Sequence, residues 1–513
     1  MKSPPAIDAV ALVAGPENAS PENAGQRHPR RWLAFSGVLA AVIMDLLDST
    51  VTSTAAPAIR ADLHGSYPDL QWVTAAYTMA LAVALLVGGR LGDMLGRQRT
   101  LVIGVSGFTL ASAACAAAPT PLMLILTRAA QGAFGALIMP QTFGLIRDLF
   151  PAGEAKKAWT VLGPVMSLGA VAGPIVAGAL IRADLLGTGW RMIFLINLPI
   201  GAFALVTVTR FLPADRRPGP SGRLDPVSVA LAAAGTFMLI FPLVQGRELG
   251  WPLWTMALLA GSLPVLALLG WRLYRQTYSS GRSRRQRPGV TPLIEVTLFG
   301  RRSYVAGLAF AIVFSAAVGG TFLTLNLLMQ VGLGYTPLRA GLASMPWALG
   351  AMIGSGLSGA LMARLGRRLL HLGLAGMGTG LVILDATLAH AGSGFGTSGF
   401  IAPLLVFGAG MGAIFSPMMD IILGDVAGSE LGSASSVLSA SQQLGLSLGV
   451  AVLGTAFFGV VAAHTRRIAD VLAAPWRDYV DAARGTALIS LGLIAAASLL
   501  VFLLPTKSRN DDR

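Results

Sequence analysis

The chain has 513 residues, of which 54% are hydrophobic and only 12% charged, and its mean hydropathy is +0.68. Soluble domains carry about twice that fraction of charge, so a string of soluble domains is excluded. The formal net charge of +14 raises the question of a nucleic-acid partner, but the basic residues gather on alternate loops between apolar runs, the positive-inside pattern of a membrane protein, and no nucleic acid is implied.

In chain order, residues 1–31 read as a flexible cytoplasmic tail, with Arg30 and Arg31 orienting the first span. Apolar runs long enough to cross a hydrocarbon core of about 30 Å as helices are then predicted at 33–58, 70–89, 100–118, 121–144, 158–181, 191–211, 226–245 and 253–273. The basic stretch "RSRRQR" at 282–287 is a lipid-facing cytoplasmic loop. Further runs are predicted at 303–330, 337–361, 369–389, 399–421, 434–462 and 486–504, with a second cytoplasmic tail over 506–513. The fold class is therefore all-α and polytopic, with fourteen transmembrane helices and both termini on the cytoplasmic side of the cell membrane. The single cysteine, Cys115, rules out an intrachain disulfide.

Several polar groups stand out against this background. "MDLLDST" places Asp45 and Asp48 inside the first span, where an ionised aspartate costs about 2.5 to 3.5 kcal/mol and is by default functional. A spacing of three puts them at neighbouring positions on one helix face. Such a pair is poised to take up a proton, although Asp45 reads equally as a structural partner for a hydroxyl or for Arg128. Arg128, in the outer half of the fourth span, needs a buried partner and is expected to face an aspartate.

The loop "GGRLGDMLGRQRT" spends rare charge among glycines at 88, 89, 92 and 96. The glycines let helix ends pack closely, and Asp93 is placed to accept hydrogen bonds from the amino end of a neighbouring helix and from arginines such as Arg97, forming a cytoplasmic latch. In the fifth span, Gly163, Gly169, Gly173 and Gly178 give a small-residue stripe for packing against the other half, and Pro174 bends the helix. Asn326 and Gln330 in the ninth span, and Gln442 and Gln443 in the thirteenth, are candidate cavity-lining hydrogen-bond groups. Asp385 and Asp420 read as structural, and methionines and phenylalanines such as Met166, Phe310 and Phe314 suit either a pliable cavity wall or the lipid face. His28, His64, His371, His390 and His464 lie scattered with no metal-ligand spacing, so neither a metal nor a cofactor is implied and an enzyme lacks its chemistry.

The loop motif recurs. Aligning Gly96 and Arg97 with Gly366 and Arg367 sets "GGRLGDMLGRQR" over "LSGALMARLGRR", each after the second span of a six-span block, with Ala363 in place of the aspartate. This predicts a six-span bundle over 32–212, two linker spans and a basic loop over 213–302, and a second six-span bundle over 303–505.

The motifs "LDSTVTSTAAPAI", "GGRLGDMLGRQRT", "LTRAAQGAFGALIMP", "GPVMSLGAVAGPIVAGAL" and "WRMIFLINLPIG" together resemble the fourteen-span drug:proton antiporter branch of the major facilitator superfamily. The resemblance implies that Gly89, Asp93, Gly96, Arg97 and Arg99 form a gating loop stabilising the outward-facing state. It further implies that Asp48 and Arg128 take part in proton transfer, and that Gly169, Gly173, Pro174 and Gly178 mark an exporter rather than an importer. Phe134 departs from the family's glycine, which shifts close backbone approach to Gly132 and Gly135; the tenth span lacks the acid that some exporters of dicationic drugs carry. The resemblance thus implies a monomeric, proton-coupled exporter of an amphipathic small molecule; an importer or uniporter, a membrane-embedded enzyme and a channel are the competing readings.

Overall fold

The computed structural model describes residues 30–150, 152–184, 187–212, 223–246, 249–278, 290–291, 293–390, 396–424, 426, 430–464 and 475–505. The N-terminal tail up to residue 29, the basic stretch 282–287 and the tail at 506–513 lie outside these.

The first part holds α1 (Arg31–Leu63), α2 (Tyr67–Leu95), α3 (Arg97–Ala116), α4 (Pro121–Gly135), α5 (Ile138–Leu149), α6 (Ala152–Ala183), the single turn α7 (Met192–Leu195) and α8 (Asn197–Phe211). A hairpin of α9 (Pro226–Gln245) and α10 (Leu253–Tyr278) comes next. The rest is α11 (Arg302–Leu327), α12 (Pro337–Leu365), α13 (Arg368–Ala389), α14 (Ile401–Leu423), α15 (Leu431–His464) and α16 (Trp476–Val501). The one pair of strands among the described residues is two residues long and parallel, Arg223–Leu224 beside Val290–Thr291. Twelve helical segments among the described residues are long and apolar enough to cross a membrane.

Local sequence fixes several helix starts. Thr120, Asp225 and Thr336 each cap a helix whose first residue is proline, which gives up no needed N–H there, and Ser66 forms a capping box with Asp69. The two copies of the repeated loop end alike: Gly96 (φ 94°) and Gly366 (φ 48°) turn the chain with positive φ between α2 and α3 and between α12 and α13.

Among the runs that differ from their expected form, two show the reason in the sequence. The fourth, expected unbroken over 121–144, divides at 136–137, because Pro140 cannot donate to the carbonyl of Ala136 and its ring crowds it. The last begins at Trp476 rather than near 486; Arg477, Asp478, Asp481 and Arg484 kept its first turns from reading as apolar, yet Arg484 is held by Asp385 of α13 at 2.8 Å.

Packing runs mainly within each part. α1 lies on α6 and α8, and α2 on α4; α11 lies on α15 and α16, while α14 packs between α12 and α13. Side chains at Gly350 and Gly354 of α12 would strike the α14 backbone at Leu405 and Ala409, so these helices touch main chain to main chain. The two parts meet where α6 faces α12 and α2 faces α15, and α9 touches both α2 and α15. The start of α1 and the end of α16 define the terminal side of the molecule.

Asp225 shows how the hairpin is held. Its carboxylate accepts from Val227, Ser228, Gln276 and both Nε and a terminal nitrogen of Arg272 (2.7 and 3.1 Å), and the Arg272 hydrogen bond holds its carboxyl well below the usual range. We expect Asp225→Ala to lower stability by about 1 kcal/mol through the lost cap, read as a lower unfolding midpoint in detergent. Since the folded-state carboxyl is depressed, its contribution is full above the unfolded value near pH 4 and fades as pH falls through the folded one, so the difference between variant and parent shrinks in acid.

Candidate functional site

Asp48 of α1 sits in a sealed polar cluster. Arg128 of α4 pairs with its Oδ2, and its Oδ1 accepts from Gln131 Nε2 and Asn197 Nδ2, both at 2.8 Å. Gln131 also donates to Ser112 Oγ (2.7 Å) and accepts from Arg128 (2.7 Å), while Arg128 Nε donates to the carbonyl of Val73 (3.3 Å). All five side chains are buried. Five helices, α1, α2, α3, α4 and α8, thus converge on this cluster, and the ring of Tyr77 lies under the guanidinium with its centroid 4.2 Å away.

Asp45, one turn earlier on α1, meets different surroundings. It accepts from the Tyr77 hydroxyl at 2.6 Å and lines a cavity of about 450 Å³ walled by both parts of the chain, whereas Asp48 is not among its lining residues. The cavity takes Leu46, Ser49 and Thr78 from the first part, and Phe314, Ser355, Met411 and Gln442 from the second. The neighbouring positions predicted from the spacing therefore separate into an ion-paired acid in the core and an acid facing the cavity, joined through Tyr77, which binds Asp45 by its hydroxyl and stacks on Arg128 by its ring. Close approach at Gly132 and Gly135 is present: side chains there would strike the Tyr77 backbone and the Asp45 carboxylate. Phe134 instead lays its ring against Gly107 of α3.

On the terminal side, Asp93 accepts from the backbone N–H groups of Gly432 (3.1 Å) and Ser433 (3.0 Å), the open amino end of α15. Arg90 stands 3.6 Å from it and also reaches Glu295 at 3.2 Å, and the charge of Arg97 acts on the carboxylate as well. Arg97 turns to α5, pairing with Asp148 at 2.6 Å and donating to the carbonyl of Gly144, while Arg99 is exposed. Gly89 is a point of close approach between α2 and α15, since a side chain there would collide with Ser436 and Gly432. A second grip lies nearby: Arg147 of α5 donates to the carbonyls of Gly424 and Val426, both at 3.2 Å, just past α14. In the repeat's second copy, Arg367 donates to the carbonyls of Phe502 and Leu504 (3.1 and 2.6 Å), stapling α13 to α16 within its own half.

The stripe on α6 is divided in its use. Gly169 and Gly173 face Leu46 and Thr50 of α1, in the same half; Gly163 faces Ser355, and Pro174 and Gly178 face Gly341 and Leu338, all on α12. Packing against the other half, expected of the whole stripe, belongs only to the latter. Of the four predicted cavity groups, Gln442 and Gln443 line the cavity, but Asn326 and Gln330 do not. Eight residues past Val318, Asn326 is about 12 Å further along α11 and donates to the carbonyl of Phe322; Gln330 is exposed on the π-helical turn Leu328–Gly332 and donates to Asn326. Asp385 is tied to Arg484, and Asp420 is half-buried in the last turn of α14.

Tyr77, Ser112, Gln131, Asn197 and Arg90 were not singled out from sequence. Gln131 and Asn197 carry a legible signal, since amides inside apolar spans need partners, and both fall within the quoted motifs around Arg128 and Trp190. Tyr77 and Ser112 carry none, because tyrosine and serine are ordinary in membrane helices.

A family model described as Major Facilitator Superfamily matches residues 38–450. The chain is 46% identical to a probable actinorhodin transporter of Streptomyces coelicolor over 86% of its own length and 75% of the relative's. It is 30% identical to the tetracenomycin C resistance and export protein of Streptomyces glaucescens (88% and 79%) and 30% identical to the multidrug efflux pump LfrA of Mycolicibacterium smegmatis (83% and 81%). Among solved structures, a human organic anion transporter superposes with a TM-score of 0.59 at 15% identity, covering 92% of this chain and all of the other, a likeness of fold.

Proposed function

The chain belongs to the major facilitator superfamily, whose members are transporters, and we propose that it couples outward movement of an amphipathic small molecule to inward movement of protons. It is an efflux transporter of the antibiotic- and drug-exporting kind, like the relatives it resembles over most of its length. In this reading it crosses the cell membrane fourteen times. The twelve apolar segments are joined by α6 and α12, of 32 and 29 residues, which lie against each other between the two parts and are rich in glycine. The terminal side is cytoplasmic, residues 32–212 and 303–505 are the two rocking bundles, and 213–302 supplies the inserted hairpin. One chain holds both bundles and works as a monomer surrounded by lipid.

The observation that carries the reading is the pair of acids on α1. Asp45 opens on the cavity where a substrate would lie, and Asp48 lies behind it in the Arg128 pair, so protonation at one is sensed at the other through Tyr77. Asp48 carries the proton, sharing it with Asp45, and Arg128 releases or reclaims the carboxylate as the bundles rock. The driving force suffices: one charge crossing about 100 mV supplies about 2.3 kcal/mol, roughly a fifty-fold gradient. The test is inside-out vesicles carrying an imposed pH gradient, a fluorescent reporter of that gradient and a panel of antibiotics and lipophilic dyes. A transported compound is expected to discharge the gradient and accumulate inside; accumulation that persists after an ionophore collapses the gradient would rule out proton coupling, and movement in the opposite direction would make the protein an importer.

A further inference from the structure

The cavity's hydrogen-bonding groups are arranged in a pattern. On α15, positions 439, 442, 443 and 446 share one face by their spacing of three and four, and all four residues line the cavity. Ser439 is only 8% exposed and its hydroxyl has no hydrogen-bond partner among the described residues. The side-chain amides of Gln442 and Gln443 project from the same face, likewise unpartnered among the described residues. Much of the remaining wall is thioether and phenyl, from Met139, Met166, Phe314 and Phe415. A ligand that displaces water from this α15 face without replacing its hydrogen bonds loses affinity.

The wall around Asp45 and Tyr77 is poorly made for a cation. Asp45 is the only carboxylate among the lining residues, and the Tyr77 hydroxyl already occupies one of its oxygens. The Tyr77 ring, the natural cation platform beside it, already holds the Arg128 guanidinium, whose charge opposes a second one nearby.

We propose that the cavity selects uncharged aromatic polycycles bearing carbonyl and hydroxyl groups along one edge, with Ser439, Gln442 and Gln443 as its specificity-determining residues. The amide N–H groups donate to the ligand's carbonyls, the amide and serine oxygens accept from its hydroxyls, and the rings lie against the methionine and phenylalanine walls. This deepens the export reading and rests on it for the direction of movement only.

The probes are quinizarin, an uncharged dihydroxyanthraquinone, and ethidium, a flat cation of similar breadth, titrated by fluorescence onto the purified full-length chain in lipid nanodiscs. Quinizarin is expected to bind more tightly than ethidium and to lose roughly tenfold in affinity in Gln442→Met and in Gln443→Met, which keep the side-chain volume but remove one half-buried amide each. Ser439→Ala is expected to lose less in the same direction, and ethidium to be indifferent to all three. Thermal unfolding of each variant establishes that it is folded. Quinizarin binding that is absent in the parent protein, or unchanged in both glutamine variants, overturns the proposal, as does ethidium binding more tightly than quinizarin. No gradient is used, so glutamine-dependent binding by a chain that moves nothing in vesicles would overturn the export reading and leave this one standing.

Discussion

Asp48→Asn will abolish gradient-driven efflux and markedly lower the unfolding temperature, whereas Asp45→Asn will abolish coupling at close to parental stability. The difference arises from where the two acids lie. Removing the charge at Asp48 leaves the Arg128 guanidinium buried without a counter-charge, at a cost of about 3 to 5 kcal/mol, and sets an amide N–H₂ against the guanidinium N–H. Asp45 is bound through one neutral hydroxyl at the cavity edge, and an asparagine there still accepts from Tyr77. The double variant Asp48→Asn with Arg128→Gln removes both charges and is expected to recover most of the lost stability and none of the transport. The measurements are thermal unfolding in detergent and gradient discharge in inside-out vesicles. An Asp48→Asn protein as stable as its parent and still active would mean that the ion pair is neither a structural nor a coupling element.

The sequence carried the fold well because its strongest signals are long-range in character but local in form. Apolar runs set the helices, Thr-Pro and Asp-Pro pairs set several starts, and the twice-used glycine turn at Gly96 and Gly366 exposed the internal repeat. The site was legible in part. Asp45, Asp48 and Arg128 stood out because charge in hydrocarbon is costly, but the division of labour between the two acids depends on what α2, α4 and α8 bring to each, which helix periodicity does not encode. Asn326 and Gln330 failed for a related reason: polarity marks them, but depth along α11 places them beyond the cavity. The partners of Asp93 were foreseen as a helix amino end and arginines such as Arg97; the amino end is that of α15, and Arg90, three residues back on the same helix, joins Arg97 in acting on the carboxylate.

The second large effect concerns that latch. Each oxygen of the Asp93 carboxylate accepts one N–H of the open end of α15, and Arg90 stands behind it. An asparagine keeps one acceptor and turns an N–H₂ toward the other N–H, so Asp93→Asn loses one charge-assisted bond and weakens the second, about 2 to 3 kcal/mol in favour of separation. Gly89→Val acts at the same contact by volume, its side chain entering the space of Ser436 and the Gly432 carbonyl. Both are expected to shift the population toward a form open on the terminal side. The reporter is Leu85→Cys, a cavity-lining position on α2, in a Cys115→Ser background, labelled with a membrane-impermeant maleimide applied from either side. Labelling from the terminal side should accelerate at least tenfold in both variants, the shift that about 1.4 kcal/mol or more produces, and slow from the other. Arg147→Ala, which frees the carbonyls after α14, should act in the same direction, because α14 and α15 are gripped at adjoining ends by opposite charges matched to their dipoles. Labelling rates equal to the parent's in Asp93→Asn and Gly89→Val would mean that this contact results from closure instead of holding it.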